Sequence, residues 1–116
     1  MEKITVYEKP TCTTCRNVSK ILTEKGINFE KVNYYIKPFS KTKLKSLLKK
    51  MGTNPSSLLR KNEDAYRNLK TKISIMNEAE ILELMIENPD LVQRPIIEIN
   101  DKAILARPAE LINKLF

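Results

Sequence analysis

Two cysteines separated by two residues, Cys12-Thr13-Thr14-Cys15, form the most reactive constellation in the sequence. If a helix starts here, Cys15 lies one turn beyond Cys12. The two thiols can then join as a disulfide or act as attacking and resolving groups. No histidine is present. That removes the usual general base and the commonest metal ligand together. Two cysteines cannot complete a structural zinc site, which takes four nitrogen or sulfur ligands. Neither a metal nor a bound cofactor is expected. Arginines are few: Arg16, Arg60, Arg67, Arg94 and Arg107 stand against many scattered lysines. A planar guanidinium suits bidentate recognition of an oxyanion better than an ammonium does. Arg94-Pro95 and Arg107-Pro108 repeat one pattern near the C-terminus. The competing reading is two incidental thiols at a helix start and two surface arginines beside prolines.

These residues need elements to place them. Ile4 to Tyr7 alternates in a β-rich run and predicts a first strand. Thr13 or Thr14 can cap a helix that carries Val18, Ile21 and Leu22 on one face and stops at Gly26. Residues 27–33 read as a second strand, parallel to the first through a right-handed crossover. Cys12 therefore falls just before a helix, where backbone N–H groups and the macrodipole favour thiolate. Arg16 and Lys9 push the same way, and Glu8 opposes them if it points inward.

The middle of the chain is helical. Ser40 can cap a helix with Leu44, Leu47, Leu48 and Met51 on one face, ended by Gly52. A short turn is expected over 55–59 and another helical stretch over 62–69. Asn77 with Glu80 resembles a capping box before Ile81, Leu82, Met85 and Ile86, and Asn88-Pro89 closes that helix. Residues 96–99 and 103–105 then read as two strands joined at Asn100-Asp101. Pro108 suits the first position of a last helix bearing Leu111, Ile112 and Leu115. The order is βαβ, a helical insert over about 38–90, then ββα. It predicts an α/β, thioredoxin/glutaredoxin-like fold with a mixed four-stranded sheet. In such folds a proline entering the third strand faces the active-site loop, commonly through a cis bond, and Pro95 has that location.

At 116 residues the chain fits a single domain, 1–116, able to bury a core without staples. Hydrophobic residues make up 41% and charged residues 30%, which fits a globular protein rather than a disordered or membrane one. No apolar run approaches the roughly 20 residues that span a bilayer. The Met1-Glu2-Lys3 start leads straight into a strand without a signal-like apolar segment, so a cytoplasmic location is expected. The net charge of +7 fits either an anionic partner or a solvated lysine-rich surface. The basic run 41–50 lies on the polar face of one helix and is read the same two ways.

Taken in order, Pro10 to Asn17, Met51-Gly52, Leu58 to Asn62, Asn88-Pro89, Arg94-Pro95-Ile96 and Ala106-Arg107-Pro108 resemble the motifs of the arsenate reductase and Spx-like family. The resemblance is nearer its arsenate reductase (ArsC-like) branch. It covers nearly the whole chain and implies thiol-dependent reduction of arsenate to arsenite. It makes Cys12 the nucleophile and Arg60, Arg94 and Arg107 the oxyanion-binding set, with Arg16 and Pro95 in support. The implied partners are arsenate and an external reductant, glutathione with glutaredoxin or thioredoxin, acting on a monomer without nucleic acid or membrane. Reductases of the family often carry histidine at the position of Glu8 and serine at that of Cys15. The second cysteine implies recycling through a Cys12–Cys15 disulfide. The alternative the resemblance offers is an Spx-like redox-sensing transcriptional regulator that binds the C-terminal domain of the RNA polymerase α-subunit.

Overall fold

The computed structural model describes residues 3–115; Met1, Glu2 and Phe116 lie outside the described residues. The chain divides into two compact units. One holds the residues up to Lys37 together with those from Arg94 onward, and the other is Pro38–Gln93.

The first unit is built on a four-stranded mixed sheet in the order β2-β1-β3-β4. Strand β1 (Ile4–Glu8) runs parallel to β2 (Glu30–Asn33) and antiparallel to β3 (Ile96–Ile99), which pairs antiparallel with β4 (Lys102–Leu105). Every residue of β1 and β3 is buried, as two-faced central strands require. On one face Ile4, Val6, Ile97 and Ile99 pack against Val18 and Leu22 of helix α1 (Thr13–Glu24). Ala109 and Ile112 close that core from a 3₁₀ segment, Ala109–Leu115. On the other face the Tyr7 hydroxyl donates to Glu98 Oε1 at 2.9 Å. Asn100 turns the β3–β4 hairpin with a φ of 53°, a left-handed value that asparagine tolerates. This is the expected α/β, thioredoxin-like arrangement.

Four local features differ from the sequence reading. The cap of α1 is Cys12 itself, not Thr13 or Thr14, because its sulfur accepts the N–H of Cys15. Strand β2 begins at Glu30, not at 27. The Ile27 N–H bonds back to the Leu22 carbonyl at 3.0 Å and closes α1 instead of joining the sheet. The helical stretch expected over 62–69 is α3 (Asp64–Ile73), which buries Ile73 at its far end. The last helix is a 3₁₀ segment with Pro108 outside it. At three residues per turn, Ala109, Ile112 and Leu115 fall in one row over the core.

The second unit is helical. Ser40 Oγ accepts the Lys43 N–H at 3.0 Å and starts α2 (Lys41–Met51); Gly52, at φ 68°, ends it in the left-handed region. A 3₁₀ turn over Pro55–Leu58 is capped by Asn54. Helix α4 (Glu78–Glu87) opens on the expected capping box: Asn77 Oδ1 accepts the Glu80 N–H, and Glu80 Oε1 accepts the Asn77 N–H. Leu44, Leu47, Leu58, Leu82, Met85 and Leu91 are among the fully buried side chains of this unit. A 3₁₀ turn at Pro89–Leu91 then leads to a bridge between Val92 and Leu59. Among the described residues, no helix is long and apolar enough to cross a membrane.

Candidate active site

Sheet register gathers the candidate residues of the first unit at one end. Glu8 lies opposite Asn33, Tyr7 opposite Ile96, and Ile96 opposite Leu105. Four chain segments therefore leave or enter the sheet together: the loop after β1, the turn after β2, Arg94-Pro95 before β3, and Ala106-Arg107 after β4. In the turn after β2, Asn33 Oδ1 accepts the Tyr35 N–H at 3.0 Å. Its carbonyl accepts from Ile36 and Lys37, an Asx turn that fixes Tyr34 and Tyr35 beside the strand end. Ala106 N–H donates to the Pro95 carbonyl at 3.0 Å, and Arg107 Nη1 donates to the Arg94 carbonyl at 3.1 Å. The Arg94–Pro95 and Arg107–Pro108 bonds are both cis.

Cys12 stands where the helix needs an acceptor. Its backbone is extended, and its Sγ accepts the Cys15 N–H at 3.3 Å. The half-buried thiol feels two opposed influences. Burial disfavours the thiolate, but hydrogen bonds from the Cys15 thiol and amide and from the Arg94 guanidinium outweigh it, so Cys12 lies below the ordinary thiol range. Cys15 moves the other way. Full burial, its hydrogen bond to Cys12 and the negative charges of Cys12 and Glu8 push it up to about 12. The site thus pairs a thiolate-prone, reachable sulfur with a protonated sulfur beneath it.

Arg94 is only 4% exposed, a setting a lone guanidinium does not tolerate. Its Nη1 donates to the Tyr35 hydroxyl at 3.1 Å, and its guanidinium carbon lies 5.8 Å from the centroid of the Tyr35 ring. Burial works against its charge, but hydrogen bonds with Tyr34 and Cys12 and the fields of both tyrosines overcome that and raise its pKa.

The structure thus brings Cys12, Cys15, Arg94, Pro95 and Arg107 to one sheet end. Arg16 is exposed on α1, and the groups that favour the Cys12 thiolate are Cys15 and Arg94. Lys9 sits 4.8 Å over the Tyr35 ring. Glu8 does point inward, 6% exposed, and its charge acts on Cys15. Arg60 belongs to the helical unit, where its Nε pairs with Glu63 Oε1 at 2.8 Å and its N–H donates to the Leu91 carbonyl. Sequence reasoning missed Tyr34 and Tyr35. The available signal was their place just past the carboxyl end of a parallel strand, where α/β folds put ligand-facing groups. Among the described residues, no three or more cysteine or carboxylate groups converge to hold a metal ion.

Comparison with known proteins agrees with this fold. A family model described as the ArsC family matches residues 7–115. The uncharacterized protein YfgD of Escherichia coli is 34% identical over 96% of this chain and 94% of its own length. An arsenate reductase of Yersinia enterocolitica is 34% identical over 97% of this chain and 79% of its own. The regulatory protein MgsR of Bacillus subtilis is 30% identical over 96% and 89%. Among solved structures, an arsenate reductase from Vibrio cholerae superposes with a TM-score of 0.91 at 27% identity, covering 98% of both chains.

Proposed function

The chain belongs to the ArsC family, and from that premise we propose that it is a thiol reductase that converts arsenate to arsenite through Cys12. The observation that carries this reading is the pairing of a thiolate-prone Cys12 with the buried Arg94 and the protonated Cys15. Cys12 Sγ attacks arsenic; the S–As bond forms, and one arsenate oxygen takes up protons and leaves as water. A second thiol, that of Cys15 or of glutathione, then attacks Cys12 Sγ and gives up its proton to the departing arsenic oxyanion. An S–S bond forms, the S–As bond breaks, and its electron pair stays on arsenic, which departs as arsenite. Two electrons from glutathione with glutaredoxin, or from thioredoxin, return the disulfide to thiols.

In this reading Arg94 and Arg107 hold the oxyanion while charge develops. The family resemblance adds Arg60 to this oxyanion-binding set and treats residues 1–116 as one domain. Pro95 supports the Cys12 loop, while Arg16 stands exposed on α1. In this reading the protein works as a cytoplasmic monomer and recycles through soluble thiols. A second reading is favoured by the similarity to MgsR: a regulator in which the Cys12–Cys15 pair is a redox switch and the partner is RNA polymerase, bound through its α-subunit.

The deciding measurement is arsenate-dependent NADPH oxidation, coupled in parallel to glutathione with glutaredoxin and to thioredoxin with its reductase. The enzyme reading expects turnover that Cys12→Ser abolishes, and the coupling system that works names the donor. No turnover in either system would leave the regulator, to be tested by binding to the polymerase α-subunit.

A further inference from the structure

Tyr35 plays no part in the chemistry proposed above, yet three observations converge on it. Its hydroxyl accepts from Arg94 Nη1 at 3.1 Å. Its ring lies 5.8 Å from the Arg94 guanidinium carbon and 4.8 Å from Lys9 Nζ, within cation–π range of both. Its backbone is pinned by Asn33 through the Asx turn at the end of β2. We propose that Tyr35 is a positioning residue that holds the Arg94 guanidinium against the Cys12 sulfur and keeps Lys9 at the same mouth.

The physical reason lies in the length of the arginine side chain. A free guanidinium on four rotatable bonds spreads over many rotamers, and aiming it at one sulfur loses that freedom. A hydroxyl acceptor and a ring face, both on a fixed turn, confine Arg94 before any substrate arrives. The guanidinium keeps donors to offer the Cys12 sulfur, whose thiolate its charge favours. Preorganised charge of this kind needs no rearrangement as negative charge develops. This inference deepens the proposed Cys12 site, but its test does not depend on arsenate being the substrate.

The test is the pH dependence of Cys12 alkylation by iodoacetamide, measured in wild type, Tyr35→Phe, Tyr35→Leu, Arg94→Met and the Tyr35→Phe/Arg94→Met double variant. Tyr35→Phe keeps the ring and loses the acceptor. It should slow alkylation near neutral pH by about three- to tenfold and move the midpoint upward. Tyr35→Leu should slow it further. In the Arg94→Met background the Tyr35→Phe effect should vanish, because the Tyr35 hydroxyl acts only through Arg94. Circular dichroism of each variant separates this from misfolding. A Tyr35→Phe profile that superposes on wild type, or a Tyr35 effect that persists undiminished without Arg94, would overturn the proposal. A protein inert toward arsenate whose alkylation cycle still couples would sink the arsenate reading and leave this one standing.

Discussion

The two units spend their burial differently. Among the described residues, the buried polar or charged side chains are Thr5, Glu8, Arg94 and Glu98, and all four belong to the sheet unit. Among the described residues of the helical unit no charged side chain is fully buried; its half-buried Arg60 is paired with Glu63. Ser40, Asn54 and Asn77 cap three of its helical starts by the ordinary rule, whereas α3 starts at Glu63 without a side-chain cap bond. The sheet unit breaks that rule at one place, where a cysteine takes the cap position of α1. Buried charge is destabilising unless every donor and acceptor is met. Where a small protein tolerates it, next to a displaced thiol pKa, the site rather than the scaffold is the reason.

The contrast can be broken in order of effect. Leu82, 1% exposed in α4, should destabilise the protein by about 2–5 kcal/mol when changed to alanine. Urea unfolding would read this, while the Cys12 titration midpoint of the folded protein stays put. A shifted midpoint would mean that scaffold and site are not separable. Arg94→Met should do the reverse: a loss of about tenfold or more in Cys12 alkylation at neutral pH, from a side chain that is neither core nor cap. In wild type, alkylation of Cys12 should rise with pH to a midpoint below that of an ordinary thiol, because its folded pKa is lowered. Cys15, at about 12, should remain unmodified through that range. Equal labelling of both sulfurs by mass spectrometry would contradict the assigned asymmetry. Asn77→Ala removes one side of the capping box and should cost about 1 kcal/mol by thermal melting, with alkylation unchanged. Lys41→Met breaks the exposed pair with Glu83 and should move stability by less than about 1 kcal/mol. A larger loss would show that the lysine-rich face of α2 contributes to the fold beyond solvation.

Much of the scaffold is legible in the sequence because its signals are local. Ser40, Gly52, the Asn77–Glu80 box and the Asn100 turn each act within a few residues, so their spacing is enough to place them. Strand β2 reads too long because Ile27 and Phe29 look like strand residues. Only the bond from Ile27 back to Leu22 assigns that stretch to the end of α1. The last helical segment falls where its apolar residues place it, but its 3₁₀ winding is hidden, since Leu111, Ile112 and Leu115 fit either period.

By itself the sequence determined the reactive pair, the arginines worth following, the element order and the caps, all of which depend on residue type and short spacing. Tertiary structure decided which charges act on which sulfur. Glu8 turned inward, where its charge acts on Cys15; Arg16, four residues from Cys12, turned outward, whereas Arg94, far along the chain, acts on the Cys12 sulfur. Tyr35 acquired its place only when β2 paired with β1 and carried the Asn33 turn to the sheet end. Coulomb and hydrogen-bond energies depend on distance in space, and pairing between strands that are distant in sequence sets those distances.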